Sequence, residues 1–301
     1  MSKLIYSDLG NGISCIDSQY VRAGLASCYL IEQNNHAAFI DVGTNYTIPL
    51  LLELLEKKNI PLENVDYVIP THVHLDHAGG AGSLMQQLPN AQLIIHPRGA
   101  RHMIDPSRLQ AGASAVYGAT EFKKHYGDLI PIYEDRVTQA DDGFSINFRG
   151  RKLEFIDTPG HAKHHFCIID KSSKGMFTGD TFGVAYPPSS PVDFDPDDWL
   201  ASIDKLMATG CDRAYLTHYS SVEDLEPLAA TLRERIKLFA QMAQQSSDSA
   251  ALATQLSRYL IDEVVATGCQ LDRSKIMEVL ALDIDLITQG LGVWLEKNSL
   301  K

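Results

Sequence analysis

The sequence is short of cysteine, with five residues in 301 (Cys15, Cys28, Cys167, Cys211 and Cys269) that are odd in number, scattered and never spaced as Cys-x-x-Cys. A disulfide framework and a zinc ribbon both need paired or closely spaced thiols, so neither is expected. Three of the five sit inside apolar runs, where a reduced thiol packs as a small hydrophobe, and this suits a reducing compartment. Long apolar runs are missing as well. No stretch approaches the roughly 18 apolar residues of a membrane span, and residues 1–8 show neither the apolar segment nor the small-residue cleavage pattern of a secretory leader. The expectation is a cytoplasmic protein with no membrane partner. Positive charge is scarce: 26 Lys and Arg stand against 38 Asp and Glu, for a net charge of −12, and the basic residues are dispersed. That field repels polyphosphate backbones, so a nucleic-acid partner is not expected.

What the chain does have is an ordinary hydrophobic content, 45%, and enough length for one large two-layer domain with a smaller appendage. Its chemistry is densest in Thr71-His72-Val73-His74-Leu75-Asp76-His77-Ala78-Gly79-Gly80. The apolar, β-branched run at 65–69 before it reads as a buried strand, so these polar side chains lie where a strand gives way to a loop. His72 and His74 are two apart. That spacing puts them on one side of an extended segment and on different sides of a helix, so the helical zinc-protease arrangement does not apply and an extended turn is expected. Imidazole nitrogen and carboxylate oxygen are ligands that zinc accepts, and Gly79, Gly80 and Gly82 let the backbone fold tightly beside them.

The segment resembles the His-x-His-x-Asp-His signature of the metallo-β-lactamase-fold hydrolases. The other residues that family needs follow in its order: His161 in Thr158-Pro159-Gly160-His161, Asp180 in Thr178-Gly179-Asp180-Thr181, and His218 after the apolar run 214–216. Upstream, Phe39-Ile40-Asp41-Val42-Gly43 matches the strand-ending aspartate and glycine the family places near its metals. The resemblance implies one metal on His72, His74 and His161, a second on Asp76, His77 and His218, and Asp180 bridging them. Two divalent ions are implied, zinc first, with iron or manganese as alternatives. It also implies hydrolysis of a small ester, thioester or lactone by a hydroxide held between the metals, with Asp76 managing the proton. Asp41, Thr71, Thr217 and His165 are the expected partners of the ligands' outer atoms, and His164 is expected to be exposed. Tyr186 resembles a tyrosine of the lactone-cleaving branch, at a different spacing, and is a second catalytic candidate beside a packing role.

Along the chain, strands are expected at 13–16, 27–31 and 37–41, a hairpin connection at 33–36 with His36 facing solvent, and a helix at 47–58 leading into the strand before His72, which is a βαβ pattern. A helix at 83–88 and a strand at 92–96 follow, with His96 read as structural. The stretch 99–126 reads as helical, broken at Pro106, Gly112 and Gly118, and serves either as a substrate-lining insertion or as a packing layer. Strands are expected at 137–140, 144–148, 153–157, 166–170, 175–179 and 213–217, with a helix at 196–209. Pattern alone gives an α/β protein. The resemblance implies a four-layer αββα sandwich over residues 1–221, whose ligands lie along one edge of the packed sheets. Residues 222–301 change to helical composition, with helices at 225–244, 250–267 and 274–295 and a polar break at 244–249 that offers an N-cap. This extension can bind substrate, form a homodimer contact or cover the sandwich.

Three rivals stand beside the small-molecule hydrolase. Sulfur dioxygenases of the superfamily carry similar motifs with a single iron on two histidines and the aspartate. The nuclease branch needs a basic surface that is not visible here. A non-catalytic binding protein is expected to have lost ligands that this chain keeps.

Overall fold

The structure, a computed structural model, describes residues 3–183, 193–218 and 220–299. Its contacts divide the chain into two compact units, one of Met1–Asp157, His164–Gly183 and Thr209–Leu225, the other of Thr158–Lys163, Val184–Ala208 and Glu226–Lys301.

The first unit opens with four antiparallel strands, β1 (Tyr6–Asp8), β2 (Ile13–Asp17), β3 (Ser27–Gln33) and β4 (His36–Ile40). The expected hairpin at 33–36 joins β3 to β4, and His36 is half-buried there, its Nδ1 3.0 Å from Asp66. Helix α1 (Ile48–Lys57) returns the chain to β5 (Val65–Ile69), which pairs parallel with β4 and completes the βαβ unit. The short α2 (Leu75–Ala78) and α3 (Ala81–Gln87) lead to β6 (Gln92–Ile95). Helices α4 (Pro97–Ile104), α5 (Ser107–Tyr117) and α6 (Ala119–Tyr126) then lead to β7 (Val137–Gln139). Strands β5, β6 and β7 are parallel, and β1 to β7 lie side by side in chain order in one sheet.

A second sheet runs through β8 (Ser145–Phe148), β9 (Arg151–Asp157), β10 (Phe166–Asp170) and β11 (Gly175–Phe177), all antiparallel neighbours, to β12 (Arg213–Tyr215), parallel to β11, and the two-residue β13 (Ser221–Val222). Side chains alternate along a strand, and β3 shows what this does to the layers. Cys28 and Leu30 point into a core shared with Leu50, Leu51, Leu54 and Leu55 of α1, while Tyr29 and Ile31 point into a core shared with Phe155, Phe166 and Phe177 of the second sheet. The first sheet is therefore buried on both faces, which explains its nearly continuous apolar strands. Helix, sheet and sheet follow one another in this unit, the arrangement expected of the metallo-β-lactamase sandwich. Arg151, 2% exposed, forks onto the buried Asp170 and also donates to the carbonyl of Asn11 at 2.6 Å, so the charge entering the core is paired.

The second unit contains α7 (Pro196–Met207), α8 (Leu225–Gln245, continuing from the first unit), α9 (Ser249–Ala266) and α10 (Arg273–Ser299). The polar break before α9 supplies its cap: Asp248 accepts from the Ala251 amide at 2.8 Å. On α10, Ile276, Leu280, Ile284, Ile287, Leu291 and Trp294 are buried at steps of three and four, the seam along which it packs on α9.

Two expectations need correction. Gly112 does not break the helical insertion, because one glycine costs a helix only about 1 kcal/mol and α5 runs through it. The strand at 175–179 stops at Phe177, since Gly179, with φ +46°, opens a tight turn that aims Asp180.

Candidate metal centre

Strand β5 delivers Thr71 to the end of the first sheet, and the backbone leaves it extended as far as His74 (φ −62°, ψ 149°), where the single helical turn α2 begins. The extended reading thus holds for His72 and His74. Asp76 and His77 lie on the helical turn instead, which at four residues is too short to show periodicity in the sequence. Buried Val73 and Leu75 anchor the segment between the polar side chains. Gly82 lets α3 approach closely: a Cβ there would lie 1.9 Å from the Ile130 carbonyl oxygen.

The side chains converge. His72 Nε2 lies 2.9 Å from His74 Nδ1 and 3.9 Å from Asp180 Oδ2. The other oxygen of the same carboxylate, Oδ1, lies 3.2 Å from His77 Nε2 and 3.3 Å from His218 Nε2. Asp76 Oδ2 is 3.5 Å from His77 Nε2 and 3.6 Å from His218 Nε2. The ligand atoms of His72, His74 and Asp180 lie within 4.8 Å of one another, as do those of Asp76, His77 and His218.

Outer contacts decide which ring nitrogen faces inward. Asp41 Oδ2 lies 3.2 Å from His77 Nδ1, Thr71 Oγ1 lies 3.1 Å from His72 Nδ1, and the Leu25 carbonyl lies 3.1 Å from His218 Nδ1. Asp41 also accepts from the Thr71 amide at 2.7 Å, from Thr71 Oγ1 at 3.0 Å and from Thr217 Oγ1 at 3.3 Å, so one buried carboxylate ties together the ends of β4, β5 and β12. His165 Nε2 accepts from the Asp180 amide at 3.0 Å, which fixes the main chain of the carboxylate rather than the carboxylate itself. The Leu25 carbonyl has no counterpart in the sequence reading, because any residue type can supply a backbone oxygen.

Burial disfavours charge on His77 and His218, yet both pKa values are raised. Asp180, Asp76 and Asp41 outweigh burial at His77, and Asp180 with Asp76 lift His218 to about 9. At His165 burial wins and lowers the value to about 3, leaving a neutral ring that can accept the Asp180 amide.

His161 is buried on the segment Thr158–Lys163 of the second unit, its ring 5.5 Å from that of Trp199. Tyr186 lies outside the described residues. His164, expected to be exposed, is half-buried instead, its ring centroid 5.5 Å from that of His74 and 6.1 Å from that of His72. The fold of the loop after β9 brings it back against the histidine segment. His96 is structural: it caps α4 by accepting from the Arg98 amide at 3.1 Å.

The donor set fits divalent cations. His77 Nε2 is buried with no hydrogen-bond partner, and it faces two carboxylates beside an imidazole of raised pKa, an excess of negative charge that a cation would neutralise. The profile of the metallo-β-lactamase superfamily matches residues 21–218. The chain belongs to that superfamily. Among relatives, a hydroxyacylglutathione hydrolase from Aeromonas hydrophila is 27% identical over 228 residues, 73% of this chain and 74% of that one. An atrochrysone carboxyl ACP thioesterase from Aspergillus fumigatus is 26% identical over 162 residues, 54% of this chain and 41% of that one. The matches span between 41% and 61% of the length of four of the curated relatives. A crystal structure of a metallo-β-lactamase superfamily protein from the archaeon Sulfolobus tokodaii shares the fold, with a TM-score of 0.65 at 20% identity over 94% of this chain and 98% of that one. Among the described residues of this superfamily member, no helix is long and apolar enough to cross a membrane.

Proposed function

We propose that the chain is a binuclear metal-dependent hydrolase of a small ester, thioester or lactone, with thioesters the first class to test. The observation that carries this reading is the split of the Asp180 carboxylate, one oxygen toward His72 and the other toward His77 and His218. A carboxylate placed so can serve two cations at once. His72 and His74 would hold one of them and Asp76, His77 and His218 the other, and the family pattern adds His161 to the first pair. Bound divalent ions, zinc in the first instance, lower the pKa of a coordinated water to about 7 and polarise a substrate carbonyl.

The chain's own residues do the rest. Asp41, Thr71 and the Leu25 carbonyl hold the histidine rings in one orientation, and His165 holds the Asp180 main chain, so little rearrangement is left to the reaction. Asp76 is the least buried carboxylate of the group, 21% exposed against 4% for Asp180, which supports a role in accepting the proton of an attacking water and returning it to the leaving group. The thioester preference is supported by the names of two relatives, an ACP thioesterase and a hydroxyacylglutathione hydrolase.

The test is a hydrolysis screen over thioesters, esters, lactones and phosphodiesters on metal-quantified protein, beside Asp180→Ala. About two zinc ions per chain and thioester turnover support the reading, whereas one iron with oxygen consumption on a persulfide makes the chain a dioxygenase. Asp180→Ala should abolish turnover and lower the metal content of both positions. A variant with the wild-type metal complement removes the bridge.

A further inference from the structure

Cys28 and Leu30 of β3 face the helical layer, so alternation turns Ser27 and Tyr29 toward the second sheet, to which β12 belongs. The main chain on both sides of His218, just past β12, is fastened there. The buried Tyr29 hydroxyl lies 2.6 Å from the Leu216 carbonyl oxygen and also reaches the Ser220 carbonyl oxygen, so its one proton is shared between the two flanks of the ligand. The Ser27 amide donates to the Thr217 carbonyl at 2.5 Å, and Ser27 Oγ accepts from the Ser220 amide at 3.2 Å. The Leu216 amide donates to the Ser220 carbonyl at 2.7 Å, which ties the flanks to each other.

His218 depends on this fastening more than the other ligands do. The outer nitrogen of His77 faces the Asp41 carboxylate, whereas that of His218 faces only the neutral Leu25 carbonyl, 3.1 Å away. Its orientation is set by where the main chain runs, and Tyr29 is the side chain among these contacts that touches both flanks. The ring is itself held edge-on between Phe177, at 5.3 Å, and Tyr215, at 5.7 Å, so little freedom is left to the hydroxyl. Burial first, with nearby Cys15 and Asp41 as further causes, keeps the phenol well above its ordinary range and therefore a donor. His72 and His74 follow β5 instead, and the outer nitrogen of His72 takes its contact from the neighbouring Thr71.

We infer that Tyr29 is a positioning residue for His218, and through it for the cation position shared with Asp76 and His77, whereas the position of His72 and His74 does not depend on it. The inference rests on the binuclear reading above for the existence of two positions, and its test is made by binding rather than by turnover.

The full-length, metal-free chain is titrated calorimetrically with zinc. Tyr29→Phe, which keeps the ring and removes only the hydroxyl, is expected to weaken one of two ions about 10–100-fold. The other stays within about two-fold of wild type. The backgrounds identify the ion. With His74→Ala, Tyr29→Phe still produces its full loss in the remaining ion, and with His218→Ala it adds less than about two-fold, because the group it positions is already gone. Phe155→Leu, a loss of packing from the same core, leaves the ratio of the two affinities unchanged. Ser27→Ala, a milder change to the same fastening, weakens the same ion as Tyr29→Phe in the same backgrounds. Equal loss of both ions in Tyr29→Phe, no loss of either, or loss confined to the ion that His74→Ala removes overturns the inference. A wild type that takes up a single zinc removes the two-cation reading alone if that ion is weakened by both His218→Ala and Tyr29→Phe, and overturns the inference as well if Tyr29→Phe leaves it unchanged.

Discussion

Asp41 Oδ2 lies 3.2 Å from His77 Nδ1, and the residue that carries it holds a left-handed backbone, φ +51°. Non-glycine residues adopt that conformation at some cost, and aspartate and asparagine bear it best. The carboxylate turned inward by this backbone meets the Thr71 amide, two threonine hydroxyls and a histidine, so the strain is spent on aiming one group at the ends of three strands.

Asp41→Asn tests this without disturbing the backbone, because asparagine tolerates the same φ. It removes the negative charge behind His77 while keeping an acceptor. The expected result is a metal affinity weakened by about 10–100-fold with an unchanged far-ultraviolet circular dichroism spectrum. Measured zinc affinity equal to wild type would show that His77 needs no anchor.

The raised pKa values of His77 and His218 give the metal-free protein a pH dependence of known sign. A histidine whose folded pKa exceeds its unfolded value of about 6.5 contributes stability that is complete below that value and is lost as pH rises, for His218 through about 9. His165 acts in the other direction: its folded value of about 3 means that stability is lost as pH falls from about 6.5 toward 3. Metal-free protein should therefore melt at lower temperature on either side of a broad optimum near pH 6.5. Cations displace the histidine protons, so zinc binding at about pH 7.5 should release about two protons per chain. Calorimetric titration in buffers of different ionisation enthalpy reads this directly, and a zero proton count contradicts the charge balance described for the site.

Gly82→Ala probes the packing beneath the ligands. The added Cβ would meet backbone, the Ile130 carbonyl 1.9 Å away, which cannot yield as a flexible side chain would. A destabilisation of about 1–3 kcal/mol or more is expected, read by denaturant unfolding. Metal content should fall with it, because α3 follows the ligand-bearing turn by two residues. A loss below about 0.5 kcal/mol would mean that the helix shifts freely and that its close approach is not required.

How far the sequence foretold this site depends on how local each signal is. His72, His74, Asp76 and His77 were legible because they share six residues, and Asp180 and His218 because each follows a short buried strand. The two-sheet architecture followed from the family resemblance; alternation alone gave α/β, since the first sheet is buried on both faces and its strands read as continuous apolar runs. The one-turn helix under Asp76, the backbone carbonyl of Leu25 and the half-burial of His164 were not legible. A single turn has no periodicity, a carbonyl has no residue type, and burial of a loop histidine is set by residues far away in the chain.

The arrangement of the described residues also constrains the nucleophile. The cysteines near the ligands are poor nucleophiles: Cys15, Cys28 and Cys167 are buried, Cys167 Sγ donates to the Thr178 carbonyl at 3.2 Å, and burial first, with nearby Asp41 among the other causes, pushes the Cys28 thiol well up. Nor does the sequence offer a Gly-x-Ser-x-Gly elbow that would present an activated serine. Under the proposed hydrolase reading water would attack the carbonyl directly, and the carbonyl–sulfur or carbonyl–oxygen bond would break without any acyl group passing to the protein. In ¹⁸O-labelled water a single turnover should place one label in the acid product, and mass spectrometry of the quenched protein should show the unmodified chain. A trapped acyl adduct on any side chain would falsify direct attack, and activity that survives complete chelation would remove the metal from the reaction altogether.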